Sequence, residues 1–407
     1  MSQGMIPITK PTIGNEEIVA ATQALQSGWV SQGPAVAKFE EAFGEYVGSK
    51  HACAVSNCTA ALHLSLLALG IRPGDEVITV SHSFIATANS IRYCGATPVF
   101  VDICRDTFNI DPALIEAAIS ERTKAILCVH QLGMPCDIRR IVAIALRYGV
   151  PVVEDAACAI GSEIRVGRAW ERIGRPHGDI ACFSFHPRKV ITCGEGGMLT
   201  TNDPDLDSRF RLVRQHYMGV PDTVRHSASS VIFEAYPELG FNYRMTDIQA
   251  AIGYEQLKRL PELINQRRQL AGRYIALLGE ILELEVPTEP EWARSTWQSF
   301  CLRLPDGADQ RGVMQHMLDS GVATRRGVMC AHREAAYPSG TWKCGTGSRG
   351  CGCMEGHCQR LRRSEEAQDR TLILPLYPQM TLDEQDRVVE SLRDALRMGY
   401  LGMRSCA

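Results

Sequence analysis

Long apolar runs are missing from this chain. No stretch of about 18 uninterrupted apolar residues occurs in its 407 residues, which leaves nothing to cross a membrane as a helix. An excess of positive charge is missing too. The formal net charge is −3, so there is no basic footprint for nucleic acid and no polybasic patch for a membrane surface. The opening Met1-Ser2-Gln3-Gly4-Met5 lacks the charged-then-apolar order of a secretory signal, and a cytoplasmic location is expected. No internal repeat is visible. No G-x-G-x-x-G follows the first strand, which argues against a nicotinamide-dependent oxidoreductase.

Cysteine, by contrast, is abundant, with 16 residues. Most stand inside apolar segments (Cys53, Cys94, Cys128, Cys182, Cys301), where cysteine packs as a small hydrophobe. Without an export signal they read as thiols rather than a disulfide framework. Cys344, Cys351, Cys353 and Cys358, with His357, crowd into one Gly-rich stretch, Ser339 to Gln359. Four such ligands suit a tetrahedral zinc ion, but paired C-x2-C knuckles are absent, so this stretch is read as a loop with no metal assigned.

The length exceeds one ordinary core, and two domains are expected, a large one over 1–260 and a smaller one over 261–407. Apolar content of 45% and charged content of 22% are those of a globular protein. Strand and helix patterns alternate over the first 250 residues. Helices are predicted at Glu16–Ser27, Ala35–Tyr46, Thr59–Leu69, Ile85–Cys94 and Ile138–Tyr148. Strands are predicted at Glu76–Val80, Thr97–Val101, Ala125–His130 and Pro151–Glu154. Short β-branched runs between amphipathic helices give an α/β class with a mostly parallel sheet covered on both faces. A helix over Met245–Lys258 is expected to end before Pro261, with a second over Glu262–Leu278. The remainder, with strands at Trp297–Leu304 and Thr371–Leu374 and helices at Gln310–Ser320 and Thr381–Met398, reads as α+β.

Two strands end in chemistry. Ala181-Cys182-Phe183-Ser184-Phe185 runs into Pro187, which stops the pairing and leaves Lys189 on a turn beside Gly194, Gly196 and Gly197. Val152-Val153 runs into Glu154-Asp155. Ligands of α/β sheets sit at the carboxyl ends of strands. A lysine and an aspartate brought there are the two groups a pyridoxal phosphate site needs, one for a Schiff base and one for the ring nitrogen. Asp155 equally suits a helix N-cap, since Ala156-Ala157 follows. Ser184 can donate to a phosphate. Ser56-Asn57-Cys58-Thr59 feeds a helix whose first turn is small, which makes an anion site, although a capping role for Asn57 or Thr59 uses the same residues. Phe84 can stack on a ring or belong to the core. Gly240 to Asp247 is a polar turn in which Thr246 or Asp247 can cap the next helix.

Taken together these segments resemble the DegT/DnrJ/StrS aminotransferases, sugar aminotransferases of the aspartate aminotransferase superfamily (fold type I). The resemblance runs from Ile6-Pro7 to about Gly399. It is carried by Ser56–Leu62, Gly74–Ile78, Gly95–Asp102, Glu154–Ala157, Phe183–Gly197 and Gly240–Gly253. It implies a seven-stranded-type sheet with a smaller C-terminal domain, and a pyridoxal 5′-phosphate cofactor. It further implies Lys189 as the Schiff-base lysine and Asp155 as the partner of the ring nitrogen. Thr59, the backbone around Cys58, and Ser184 match the phosphate cup, and Phe84 matches the stacking aromatic. Asn242 matches an asparagine that reaches the neighbouring subunit's phosphate, which implies a homodimer with shared active sites. Arg325 and His332 lie where relatives approach the sugar nucleotide. Cys158 stands where many members carry Gln or His near the cofactor, and Cys58 where many have Gly. The activity implied is transfer of an amino group, from glutamate as the usual donor, to a keto sugar, most often a nucleotide-linked keto-deoxysugar. Cyclitols and other carbocyclic ketones occur among relatives. So do dehydratases, in which histidine replaces the lysine present here as Lys189.

Overall fold

The computed structural model describes residues 4–219, 229–231, 233–281, 284–345 and 356–404. Eight strands form the main sheet: β1 (His51–Val55), β2 (Glu76–Val80), β3 (Thr97–Val101), β4 (Thr123–Val129), β5 (Val152–Asp155), β6 (Ile180–Ser184), β7 (Gly197–Thr201) and β8 (Lys343–Cys344). Their order is β1-β7-β6-β5-β4-β2-β3-β8. All neighbours pair in parallel except β7, which runs antiparallel to both β1 and β6. Every residue of β2, β5, β6 and β7 is buried, as a parallel sheet covered on both faces requires. The predicted α/β class is the one observed.

The eighth strand is a departure. Ser339–Gln359 was expected to be a loop, yet Lys343 and Cys344 pair with Val99 and Phe100 at the sheet edge. Trp342 against Phe100 (ring centroids 5.6 Å apart) and an ion pair from Lys343 to Glu76 hold it there. Neither contact has a local periodic signal. Cys351 and Cys353 lie outside the described residues.

A second departure is at Pro261. One helix of 32 residues, Asp247–Leu278, runs straight through it. Proline in a helix interior removes one backbone bond and costs about 3 kcal/mol. Packing on two cores outweighs that cost. Leu257, Leu260 and Leu263 join the core around the main sheet, with Phe39, Phe43, Phe183 and Phe185. Tyr274 and Leu278 join another core with Trp297, Phe300, Leu372 and Leu392, to which Ile6 also belongs. Thr246 caps this helix in a reciprocal capping box with Gln249. Asp247 serves a different helix. Its carboxylate accepts from the amides of Gly33 (2.7 Å), Ala35 (3.0 Å) and Val36 (3.0 Å), closing the start of Pro34–Val47.

Candidate active site

The carboxyl ends of the parallel strands open into a cavity of about 660 Å3. On one wall is the turn after β6. Pro187 has no N–H to continue the strand, and the Lys189 amide turns back to the His186 carbonyl (2.8 Å). The turn is held from the smaller core by Gln298, which donates to the Arg188 carbonyl (2.9 Å). Arg267, on the long helix, fastens that segment in turn. Its buried guanidinium donates to the carbonyls of Trp297 (3.2 Å), Gln298 (3.3 Å) and Leu376 (3.2 Å). The Lys189 amine projects into the cavity wall and meets the Cys158 sulfur at 3.1 Å. Burial pulls the Lys189 pKa down, but the charge and hydrogen bond of Cys158, helped by Cys58 and Asp155, more than offset it, so the amine sits above the ordinary lysine value.

Asp155 ends β5 on the cavity floor and is 5% exposed. No helix follows it, so the capping alternative does not hold. Its Oδ2 accepts from the Thr87 hydroxyl (2.7 Å) and its Oδ1 from the Ala157 amide (3.2 Å). Thr87 gives its one proton to Asp155, so Ser83 must donate to Thr87 across their 2.8 Å contact. Burial pushes the Asp155 carboxyl above the ordinary aspartate value, against the pull of those two bonds. A carboxylate in that state favours a cationic N–H as neighbour.

Opposite lies the start of the helix Cys58–Ala68. Asn57 is its cap, accepting from the Ala60 amide at 2.8 Å. The amides of Cys58 and Thr59, which the Asn57 cap leaves untouched, lie in the first turn on the cavity wall, with Ser184 close by at the end of β6. Gly197 is required here. A Cβ on it would stand 2.5 Å from the Asn57 carbonyl carbon and 2.8 Å from the Cys58 nitrogen. Backbone N–H groups and two hydroxyls converging at a helix start make an anion cradle. An anion cradle, an amine and a desolvated carboxylate around one cavity fit the phosphate, aldehyde and ring nitrogen of pyridoxal phosphate.

The remaining predicted residues divide. Phe84 lines the cavity and is 62% exposed, so it is not a core residue. Arg325 reaches the cavity from an exposed strand position paired with Ile373. Asn242 is exposed and does not line it. His332 does not line it either. Its buried ring accepts from Ser81 Oγ (2.6 Å) at Nδ1 and donates from Nε2 to Glu365 (3.0 Å), which ties β2 to the helix Arg362–Arg370. A short 3-10 turn at Ala331–Arg333 directs the side chain inward.

Several site residues carry no sequence signal. Thr87 is one polar position in an amphipathic helix. His130, which lines the cavity, pairs with buried Glu154 behind it (2.9 Å), and the Cys136 amide donates to His130 Nδ1 (3.1 Å), so the ring proton is on Nε2. Glu154 was visible only as a polar end to an apolar strand.

A model of the DegT/DnrJ/EryC1/StrS aminotransferase family matches residues 11–393. The chain belongs to this family. It is 38% identical, over 96% of its length and 97% of the relative's, to the spore coat polysaccharide biosynthesis protein SpsC of Bacillus subtilis. Among solved structures, the aminotransferase TlmJ from Streptoalloteichus hindustanus superimposes with a TM-score of 0.85 at 32% identity, covering 97% of this chain and 99% of that one. The pyridoxal phosphate form of the sugar aminotransferase Spr1654 from Streptococcus pneumoniae gives 0.85 at 26% identity, covering 97% and 99%. This DegT-family chain is therefore a fold type I transaminase that uses pyridoxal phosphate. Among its described residues no helix is long and apolar enough to cross a membrane.

Proposed function

We propose that this DegT-family enzyme moves an amino group from glutamate to the ketone of a nucleotide-linked keto-deoxysugar. The observation that carries the reading is the convergence of Lys189, Asp155 and the Cys58–Thr59 amides on one cavity large enough for a sugar beside the cofactor. Pyridoxal phosphate, when bound, supplies an aldehyde carbon for the amino group and a ring that withdraws electrons. The chain's own residues do the rest. Thr59, Ser184 and the helix-start amides hold the phosphate, with Phe84 against the ring. Asp155, oriented by Thr87 and Ala157, keeps the ring nitrogen protonated. Cys158 borders Lys189. Lys189 Nζ takes the proton from the donor's α-carbon and later delivers one to the former ketone carbon of the sugar, as base and then as acid. Arg325 faces the incoming substrate.

A homodimer with shared sites and a cytoplasmic location are part of this proposal. Asn242 stands on the outer surface, and near it in the chain Phe233 (91%), Tyr236 (59%) and Leu239 (93%) are exposed, a surface suited to a second copy. With glutamate present, a panel of keto sugar nucleotides should yield 2-oxoglutarate beyond one equivalent per site only with the true acceptor. Glutamate consumption indifferent to every keto sugar overturns the acceptor class.

The Thr87 bond gives a further expected result. Thr87→Val should weaken pyridoxal phosphate binding by about ten- to a hundredfold, from loss of a hydrogen bond to a charged group worth about 1.5–3 kcal/mol. Thr87→Ser should restore it. An absorbance titration with the cofactor measures both, and equal affinities would show that Asp155 needs no such partner.

A further inference from the structure

Cys158 and Lys189 are 31 positions apart, yet the sulfur and the amine nitrogen are 3.1 Å apart. The thiols of Cys53 on β1, Cys128 on β4 and Cys182 on β6 are sealed in the core. Cys158 is only part-buried and faces the open cavity, so a small solute reaches it. The carboxylate that could otherwise compete for the amine, Asp155, is engaged by Thr87 and Ala157. A thiol and a primary amine in contact at an accessible wall stand one oxidation away from a covalent bond. We propose that, whenever Lys189 is not joined to the cofactor, Cys158 and Lys189 form an oxidisable pair, which a hydroperoxide entering the cavity converts into a sulfur–nitrogen bridge and a thiol reductant reopens.

The chemistry balances without other reactants. The Cys158 thiolate attacks one peroxide oxygen: an S–O bond forms, the O–O bond breaks, the sulfur is oxidised by two electrons, and hydroxide leaves. That hydroxide takes a proton from the Lys189 ammonium and becomes water. The freed Nζ lone pair attacks the sulfur of the sulfenic acid. An S–N bond forms, the S–O bond breaks, and the hydroxyl departs with an amine proton as a second water. Two equivalents of an external thiol return Cys158 to the thiol and Lys189 to the amine, and become a disulfide. The bridge needs only the observed geometry, and its consequence for transamination rests on the role proposed above for Lys189.

The test uses the full chain freed of cofactor, treated with hydrogen peroxide, digested, and read by mass. Expected is a cross-linked species joining the peptides that carry Cys158 and Lys189, lighter than their sum by two hydrogens. In parallel, capture of pyridoxal phosphate fixable by borohydride should fall about tenfold or more and return with dithiothreitol. Cys158→Ser should form no bridge and keep its own untreated level of capture. Lys189→Arg should also form none and let Cys158 proceed to sulfinic acid. Three results overturn the proposal: a Cys158–Cys58 disulfide in place of the bridge, Cys158 oxidised with Lys189 unmodified, or loss of capture in Cys158→Ser equal to that of the unaltered chain. If the bridge forms but the untreated chain never captures pyridoxal phosphate, the proposed role of Lys189 falls and the oxidisable pair stands.

Discussion

Lys189→Ala should lose amino transfer by about 10⁴-fold or more, because in the proposed mechanism one group serves as covalent anchor, base and acid. Neighbours do not replace it. The groups around it are a thiol (Cys158) and a carboxylate already held by two hydrogen bonds (Asp155). The phosphate cradle and Asp155 are untouched by the change, so the variant should still bind pyridoxal phosphate, but in a form that borohydride cannot attach to the chain. In the unaltered protein the same reduction should label the peptide bearing Lys189. Two readouts, turnover of glutamate with the acceptor and the mass of the reduced peptide, make the expectation specific. Near-normal turnover in the variant, or label on a different lysine, would show that another amine does the work.

Glu40→Ala should have the largest effect on stability. Glu40 lies on the helix Pro34–Val47 and is 6% exposed. Its carboxylate accepts from Arg214 (2.6 Å), Arg211 (2.7 Å) and the Ala54 amide of β1 (2.8 Å). Arg211 keeps Asp207 (2.9 Å) when Glu40 is gone. Arg214 does not have that resort. It is 3% exposed, and its other bond is to the Ala54 carbonyl (2.7 Å). Removing one partner of a buried pair costs about 3–5 kcal/mol through the charge left behind. The urea midpoint should fall with little change in slope. Glu40→Gln, which keeps an acceptor for Ala54, should fall less.

The same site contributes to acid sensitivity. Burial pushes the Glu40 carboxyl up, yet Arg214 and Arg211 outweigh it and hold the pKa below the ordinary value. The unfolded chain therefore binds this proton first. The contribution is fully present above the unfolded carboxylate value of about 4.3 and is lost as pH falls through the lower folded one. Glu40→Ala should lack that part of the acid transition. A midpoint in urea unchanged by the substitution would mean that solvent reaches Arg214.

Much of the site was legible because residue type and strand position coincide. Lys189, Asp155, Ser184, Cys58 and Thr59 all stand just at or beyond the ends of buried segments, and all line the cavity. His332 stood in a motif of the right kind but bonds Ser81, 251 positions away, and Glu365 instead. Pro261 carried a strong local signal for a helix end, and two cores sharing one helix overrode it. Thr87 acts on Asp155 from 68 positions away, a link with no local pattern to reveal it.

The order of residues alone determined the α/β class, through short β-branched runs between amphipathic helices, and it determined which side chains with amine, carboxylate and hydroxyl chemistry lie at strand ends. Only the folded chain decided their states: Asp155 desolvated, Cys158 against Lys189, Arg267 clamping the segment that closes the cavity, and His332 turned away from it. The reason is physical. Periodicity and turn chemistry act over a few neighbouring positions, whereas dielectric environment and contact depend on which distant strands the sheet order sets side by side.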